Sequence, residues 1–510
     1  MKRFIEKHQA KITGTISCFD RILFKGHLPL RWPHVMERLI TRQGLRIKDF
    51  KAFVTRQSRW LSDYAKRLAQ EAGRPYIYLN GFVRKEDRAK AIAAQDQVTD
   101  GLVCVLSAVE PCNTFKLAYG DRRPRVVRAR RKCLCLYFYV VDREFGFLHI
   151  RIQTGFPFTV QVCLNGHDWL ARKLQRHRVG HHRLDNAFLA IDDPGRAQRF
   201  ANEFARRNWP RILSAFARRV NPLLGNLLRG MDYYWVIEQA EYATDVMFRD
   251  RAALRDLYES LLKHATLCFS AEDVLTFLGR KLNGNFAGQV LNDYRKRWPG
   301  ARVRHRMKEN WIKMYNKHGS VLRIETVINS PYEFKIRRRG TRNGRSVTGW
   351  FPMPKGVTFL GRYAQIGLGV NQRYLDALAR VDDPAEARDQ IRSLARPVRS
   401  NGRPYRGFNP ADEDDVRLFV AVLRGEHAIH GFCNRDLRAH LFPPARNASD
   451  RLRQSARVSR LLKRLHIRGL IAKIPRSRRW RLTARGHAIL ATVVTLHHRS
   501  YPQLLMNSAA

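Results

Sequence analysis

The chain has 510 residues, and its 95 Lys and Arg against 44 Asp and Glu give a net charge of +51. With 44% hydrophobic and 10% aromatic residues it can build real cores, which excludes a disordered chain. No apolar run reaches about 18 residues, and no signal or lipidation motif is evident, so the expectation is a cytoplasmic, nucleoid-associated protein with no membrane partner. So large a cationic surplus repels itself unless a polyanion neutralises it. No P-loop, no GxGxxG after a strand and no GxSxG elbow occurs, which excludes nucleotide-driven motors, dehydrogenases and serine hydrolases of those types.

In chain order, residues 12–28 (ITGTISCFDRILFKGHL) predict a strand broken at Gly26, and residues 33–73 have helical spacing. Strands are expected at 101–109, 132–141, 145–154 and 158–165, with Asp142 to Glu144 as the turn of a hairpin. Helical spacing resumes at 168–177. This reads as an α+β basic domain over residues 1–194, on a mixed or antiparallel sheet. Residues 195–298 are expected to be mainly helical, with helices at Asp232–Arg251, Leu254–Leu267 and Phe286–Lys296. The stretch 269–297 is either a helix-turn-helix or a plain helical hairpin. Residues 299–395 predict a β-hairpin segment turning at Asn316–Gly319 and packing on the N-terminal domain, then a basic loop at 337–346 and a helix at Asp383–Leu394. Residues 396–411 have the Pro, Gly and Asn of a linker. The eight cysteines form no CxxC pair and read as reduced thiols; Cys133 and Cys135 would share one strand face.

The last segment, 412–495, is the most informative. Residues 451–481 (RLRQSARVSRLLKRLHIRGLIAKIPRSRRWR) carry twelve cations and no acid. Val458, Leu461, Leu462 and Leu465 share one helix side; Arg457, Arg460, Lys463 and Arg464 occupy the other. Gly469 stops the helix, and two short strands flank a basic turn. The segment RVSRLLKRLHIRGLIAKIPRSRRWRLTARG resembles the winged-helix DNA-binding domains of MarR-like regulators. That resemblance implies that Ser455, Arg457, Ser459, Arg460 and Lys463 face a major groove, while Arg476, Arg478 and Arg479 reach phosphates or the minor groove; Arg464, on the same cationic side, joins them as a nucleic-acid contact. A second basic run, 122–132, offers Arg122, Arg123, Arg125, Arg128, Arg130 and Arg131 to phosphates. Through NGHDWLARKL, AEYATDVMF and RGEHAIHGFCNRDLR the whole chain also resembles a family of uncharacterised bacterial proteins, a resemblance that implies no activity.

Three constellations compete as chemistry. Tyr315, Glu325 and His149 lie in a YxK-then-RxE pattern and an LHIRIQ strand that resemble rolling-circle replication initiators, which implies a tyrosine nucleophile and a metal. Glu238, Glu241 and Asp245, at spacings of 3 and 4, would share one helix face and could bind a metal. Asp20, Glu110 and Asp142, each in or beside a strand, could hold metals as in RNase H-like nucleases. His167, His177, His181 and His182, scattered among arginines, suit a phosphate-facing surface better than a metal cage.

The sequence therefore reads as an α+β body with a C-terminal winged helix, binding DNA, with RNA as a second partner, and fitting a mobile element or plasmid. The enzymatic alternative is a metal-dependent DNA nickase, endonuclease or transposase, with Mg²⁺ or Mn²⁺ as its cofactor. The remaining alternatives are a transcriptional regulator and a ribonucleoprotein component.

Overall fold

The structure is a computed structural model that describes residues 1–81, 83–119, 124–267, 269, 271–280, 290–297, 300–379, 391–424, 427, 431–475, 477–483, 485–494 and 497. It is an α+β protein of two units. One comprises Thr13–Phe248 and Glu325–Leu368; the other comprises Met1–Ile12, Arg249–Ile324 and Gly369–Ala510. Among the described residues no helix is long and apolar enough to cross a membrane.

After a short helix α1 (Lys2–Lys7), the chain runs through β1 (Ile12–His27), α2 (Pro33–Arg42), α3 (Phe50–Glu71), β2 (Tyr76–Tyr78) and α4 (Lys85–Gln95). Four strands follow: β3 (Gly101–Ala118), β4 (Arg125–Asp142), β5 (Gly146–Gln153) and β6 (Val160–Asn165). Next come α5 (Gly166–Arg176), the pair β7 (His181–Leu184) and β8 (Ala187–Ile191), α6 (Pro194–Phe204), α7 (Trp209–Val220) and β9 (Tyr234–Phe248). The expected helices over 33–73, the helix over 168–177 and the four strands between 101 and 165 are present. β1 does not break at Gly26; a Cβ there would meet the rings of Trp235 and Tyr233 at 2.9 Å, so glycine serves close packing.

The β3–β4, β4–β5, β5–β6 and β1–β6 pairs are antiparallel, while β2 joins β3 in parallel, so the sheet is mixed. The β4–β5 turn is held as its polar residues suggest: Asp142 Oδ1 accepts from the backbone N–H groups of Glu144 at 2.9 Å and Phe145 at 3.0 Å. Helix α4 lays Ala89 and Ile92 on Val103, Leu106 and Tyr139. Trp209 of α7 packs against Phe24, Phe145 and Phe204, with centroids 5.0, 5.6 and 4.7 Å away.

The helix expected at Asp232–Arg251 is instead β9 over Tyr234–Phe248, whose Tyr, Trp, Val and Ile residues favour a pleated, buried strand over a helix.

The other unit contains α8 (Arg251–Leu267), α9 (Ala271–Phe277) and the meander β10 (Val290–Arg297), β11 (Gly300–Met307) and β12 (Asn310–Lys317). The second helix expected over 286–296 is instead β10, paired residue for residue with β11 from Val290↔Met307 to Arg297↔Gly300; residues 281–289 lie outside the described residues. β13 (Val321–Ile328) follows the expected turn, and its residues from Glu325 onward belong to the unit of β1 and β9. There the sheet order is β13-β9-β1-β6-β5-β4-β3-β2.

Residues 337–346 are not a loop: β14 (Lys335–Arg342) and β15 (Arg345–Pro352) form a hairpin that turns at Asn343–Gly344, an Asn-Gly step that accepts positive φ at both positions. Helix α10 (Leu360–Leu378) follows. Of the helix expected at Asp383–Leu394, residues 383–390 lie outside the described residues, while 391–395 are helical. The expected linker carries a small hairpin, β16 (Val398–Ser400) with β17 (Arg403–Tyr405).

The chain then forms α11 (Glu413–Leu423), α12 (Asn434–Leu441), α13 (Ala448–Ile467), β18 (Ile471–Lys473) and β19 (Trp480–Leu482), and residues 485–494 are helical. β18 and β19 pair antiparallel. Val458, Leu462 and Leu465 of α13 enter a core with Leu418, Phe419, Phe432, Leu437, Ile471 and Leu490, the apolar side legible in the sequence.

Candidate functional site

β1 and β9 are neighbours in the sheet, and β13 borders β9. Each contributes a carboxylate to one cluster. Asp20 of β1, Glu241 of β9 and Glu325 of β13 each place a carboxylate oxygen within 4.8 Å of the other two. Asp20 and Glu325 are buried, and Glu241 is half-buried. Asp245, four residues along β9 from Glu241 and thus on the same strand face by the two-residue period, is fully buried.

The start of α5 holds the cluster in place. Asn165 caps that helix, accepting from the backbone N–H of His167 at 2.7 Å, and its Nδ2 donates to Asp20 Oδ1 at 2.9 Å. Asn186 donates to the same oxygen at 2.7 Å. Gly166 lets the helix start press on β1, because a Cβ there would lie 2.3 Å from the backbone oxygen of Phe19. His167 is thereby set between two acids, Nδ1 3.2 Å from Asp20 Oδ1 and Nε2 3.4 Å from Asp245 Oδ2. Gln239 donates to Glu241 Oε1 at 2.9 Å.

Like charges at these separations repel by about 3–4 kcal/mol per pair at an effective dielectric of 20. A hard divalent cation bound by carboxylate oxygens relieves that repulsion, and Mg²⁺ and Mn²⁺ favour this ligand set. Asp20, Glu241 and Glu325 fit such an ion. Asn165, Asn186, Gln239 and His167 are the groups around the ligands that orient them.

The cluster takes members from all three constellations of the sequence and completes none. Glu238 instead pairs with Lys25, 3.1 Å away; spacings of 3 and 4 bring three acids together on a helix, whereas on a strand the odd spacing separates Glu238 from the other two. Glu110 is held by Arg151 and Lys85, each at 3.0 Å, and by the Tyr137 hydroxyl at 2.6 Å. Asp142 serves its turn. His149 lies on β5, four steps from β13 in the sheet, about 19 Å from Glu325 at normal strand spacing, so it does not join Glu325. It lies against the rings of Tyr137 and Tyr139, and burial pushes its pKa down to about 4. Tyr315 is only 6% exposed on β12, a poor position for attack on a polymer. His167, expected on a phosphate-facing surface, is buried against the acids. The signal for it was the Asn165–Gly166–His167 step between a strand and a helix, a capping asparagine followed by a glycine that allows close packing.

The cationic residues divide into anchored and available ones. Arg464 donates to the carbonyls of Arg406 and Gly407 and lies 4.0 Å from the Phe408 ring centroid, so it is structural. Arg479 is likewise bound to Gly431 O at 2.8 Å and Asp436 at 3.2 Å. Asn434 of α12 donates to Ser459 Oγ, and Ser455 donates to Asn434 Oδ1, so both serines tie α13 to α12. Arg457 is exposed and lies 3.3 Å from Asp414. Arg460, Lys463 and Arg478 are exposed and make no ion pair among the described residues. The same holds for Arg125, Arg128, Arg130 and Arg131, which lie on β4. Arg122, Arg123 and Arg476 lie outside the described residues.

No protein-family model, curated protein or solved structure matches the chain.

Proposed function

We propose that this protein binds nucleic acid, docking on duplex DNA through α11–α13 and the β18–β19 hairpin in the manner of a winged helix. The observation that carries this reading is the exposed face of α13, where Arg460 and Lys463 point away from a core formed by Val458, Leu462 and Leu465. Three helices followed by a two-stranded hairpin and a further helix support it, as does a net charge of +51. Arg457 and Arg478 add to the phosphate-facing surface. A plasmid or mobile-element setting and an RNA partner belong to the same reading. The test is electrophoretic mobility shift with random-sequence duplex: the wild type shifts it, and Arg460→Ala/Lys463→Ala weakens the shift about tenfold or more. An unchanged shift removes the assignment to α13.

A second reading adds chemistry. The convergence of Asp20, Glu241 and Glu325 favours a metal-dependent phosphodiester enzyme, a nickase, endonuclease or strand transferase. A bound Mg²⁺ or Mn²⁺ would polarise a phosphate and lower the pKa of its water. Within the chain, Asn165 and Asn186 fix the Asp20 carboxylate, while His167 is placed to hold a proton between Asp20 and Asp245. Supercoiled plasmid incubated with Mn²⁺ tests it: nicking should be lost in Asp20→Asn and retained in Tyr315→Phe. Loss in Tyr315→Phe alone would restore the tyrosine nucleophile, and absence of nicking in the wild type would leave a binding protein.

A further inference from the structure

The unit that holds the carboxylates also contains a cavity of about 760 Å³ over the faces of β1 and β3–β6. Its floor follows the register of the sheet: Lys25 faces Gln161, Gln161 faces Arg151, and Arg151 faces Tyr137. Five cations line it, Lys25, Arg31, Arg128, Arg130 and Arg151, against the single carboxylate Glu110. Two of the five are committed, Lys25 to Glu238 and Arg151 to Glu110. Arg31, Arg128 and Arg130 are exposed and form no ion pair among the described residues. Arg31 and Arg128 both lie against the Trp32 ring, at 5.3 and 4.8 Å, and Trp32 is 47% exposed. His27, also in the lining, adds no charge near neutral pH, because burial pushes its pKa down to about 4.

We propose that this cavity seats one unpaired nucleotide, its phosphate on Arg128, Arg130 and Arg31 and its base against the polar floor at Gln161. Guanidinium groups match phosphate geometry, with several donors in one plane. The volume lies in the range of pockets that enclose a single small ligand. A base stacked inside a duplex cannot enter it, whereas an unstacked base can. Trp32, beneath the Arg31 and Arg128 guanidinium groups, holds these two cations beside the cavity. The inference rests on the reading of the protein as a nucleic-acid binder, and narrows it to single-stranded or locally opened substrate for this unit.

The test is fluorescence anisotropy of a labelled ten-nucleotide single strand and of a duplex, read side by side. Gln161→Trp fills the cavity without changing charge; Arg128→Ala/Arg130→Ala removes the phosphate contacts. Arg337→Ala/Arg339→Ala, on the exposed β14–β15 hairpin, removes the same charge elsewhere. With melting temperatures unchanged, both cavity variants should weaken single-strand binding about tenfold or more while duplex binding stays within about threefold. The hairpin variant should not reproduce that selectivity. A nucleoside 5′-monophosphate should displace the single strand better than inorganic phosphate at equal concentration. Wild-type binding by a folded Gln161→Trp protein, equal losses in cavity and hairpin variants, or equal displacement by phosphate or an acidic peptide would overturn the proposal. Failure of the wild type to bind either nucleic acid would instead overturn the underlying reading.

Discussion

Asp20 shows how the site depends on single atoms. Its Oδ1 takes two amide donors, Asn165 and Asn186, and a third contact from His167. Removing one donor should loosen the carboxylate without deleting it. Asn186→Ala is expected to weaken Mn²⁺ binding about 10- to 100-fold, and Asp20→Asn more strongly, as read by calorimetric titration or by Mn²⁺-induced thermal stabilisation. Equal affinity in all three proteins would mean that the cluster holds no ion.

Three histidines set a pH dependence. Burial holds His27 and His149 at a pKa of about 4 and His305 at about 3, below the ordinary 6.5. The unfolded chain therefore takes up their protons first, so their contribution is complete above about pH 6.5 and is lost as the pH falls toward 4. The urea midpoint should drop between pH 7 and pH 5, and His149→Phe should flatten part of that drop. Single residues were legible in the sequence, but their grouping was not: Asp20, Glu241, Asp245 and Glu325 each stood out, in three different sets, because strand pairing across some 300 positions leaves no local signature.

Strand β9 and helix α13 illustrate opposite outcomes at the scale of elements. In β9 the acid spacing suggested a helix, yet the surrounding aromatic and β-branched residues and the pairing of the sheet prevailed. Glu241 and Asp245 remain together because their separation of four suits both periods; Glu238, at an odd separation, goes to Lys25. In α13 the apolar residues at helical spacing were sufficient, because the stripe is strict and the opposite side is cationic. What the pattern could not reveal is which cations the fold consumes. Arg464 faces the carbonyls of Arg406 and Gly407, so Arg464→Ala should destabilise the C-terminal part by about 1–3 kcal/mol in urea unfolding. Arg460→Ala should leave stability within about 0.5 kcal/mol and act on DNA affinity instead. The opposite pattern would make Arg464 the DNA contact and Arg460 the structural residue.

Across the whole molecule, 95 basic residues face 44 acids, and several acids are withdrawn into the cluster or into pairs with anchored arginines. The available cations lie in separate stretches: α13 with the β18–β19 turn, the first half of β4, and the β14–β15 hairpin. Phosphates neutralised at each release counter-ions, those of a duplex at α13 and the β18–β19 turn and those of a single strand at β4, so binding of either form is salt-dependent. The α+β class and basic character followed from composition and periodicity. The division into units did not, because β13 leaves one unit and completes the sheet of the other within a single strand.

The most direct test is the affinity of the purified protein for a random-sequence duplex, measured from 50 mM to 400 mM salt. A logarithmic slope of about −5 or steeper is expected, shallower by roughly 1 to 2 in Arg460→Ala/Lys463→Ala. No binding at the lowest salt, or a slope near zero, would contradict it.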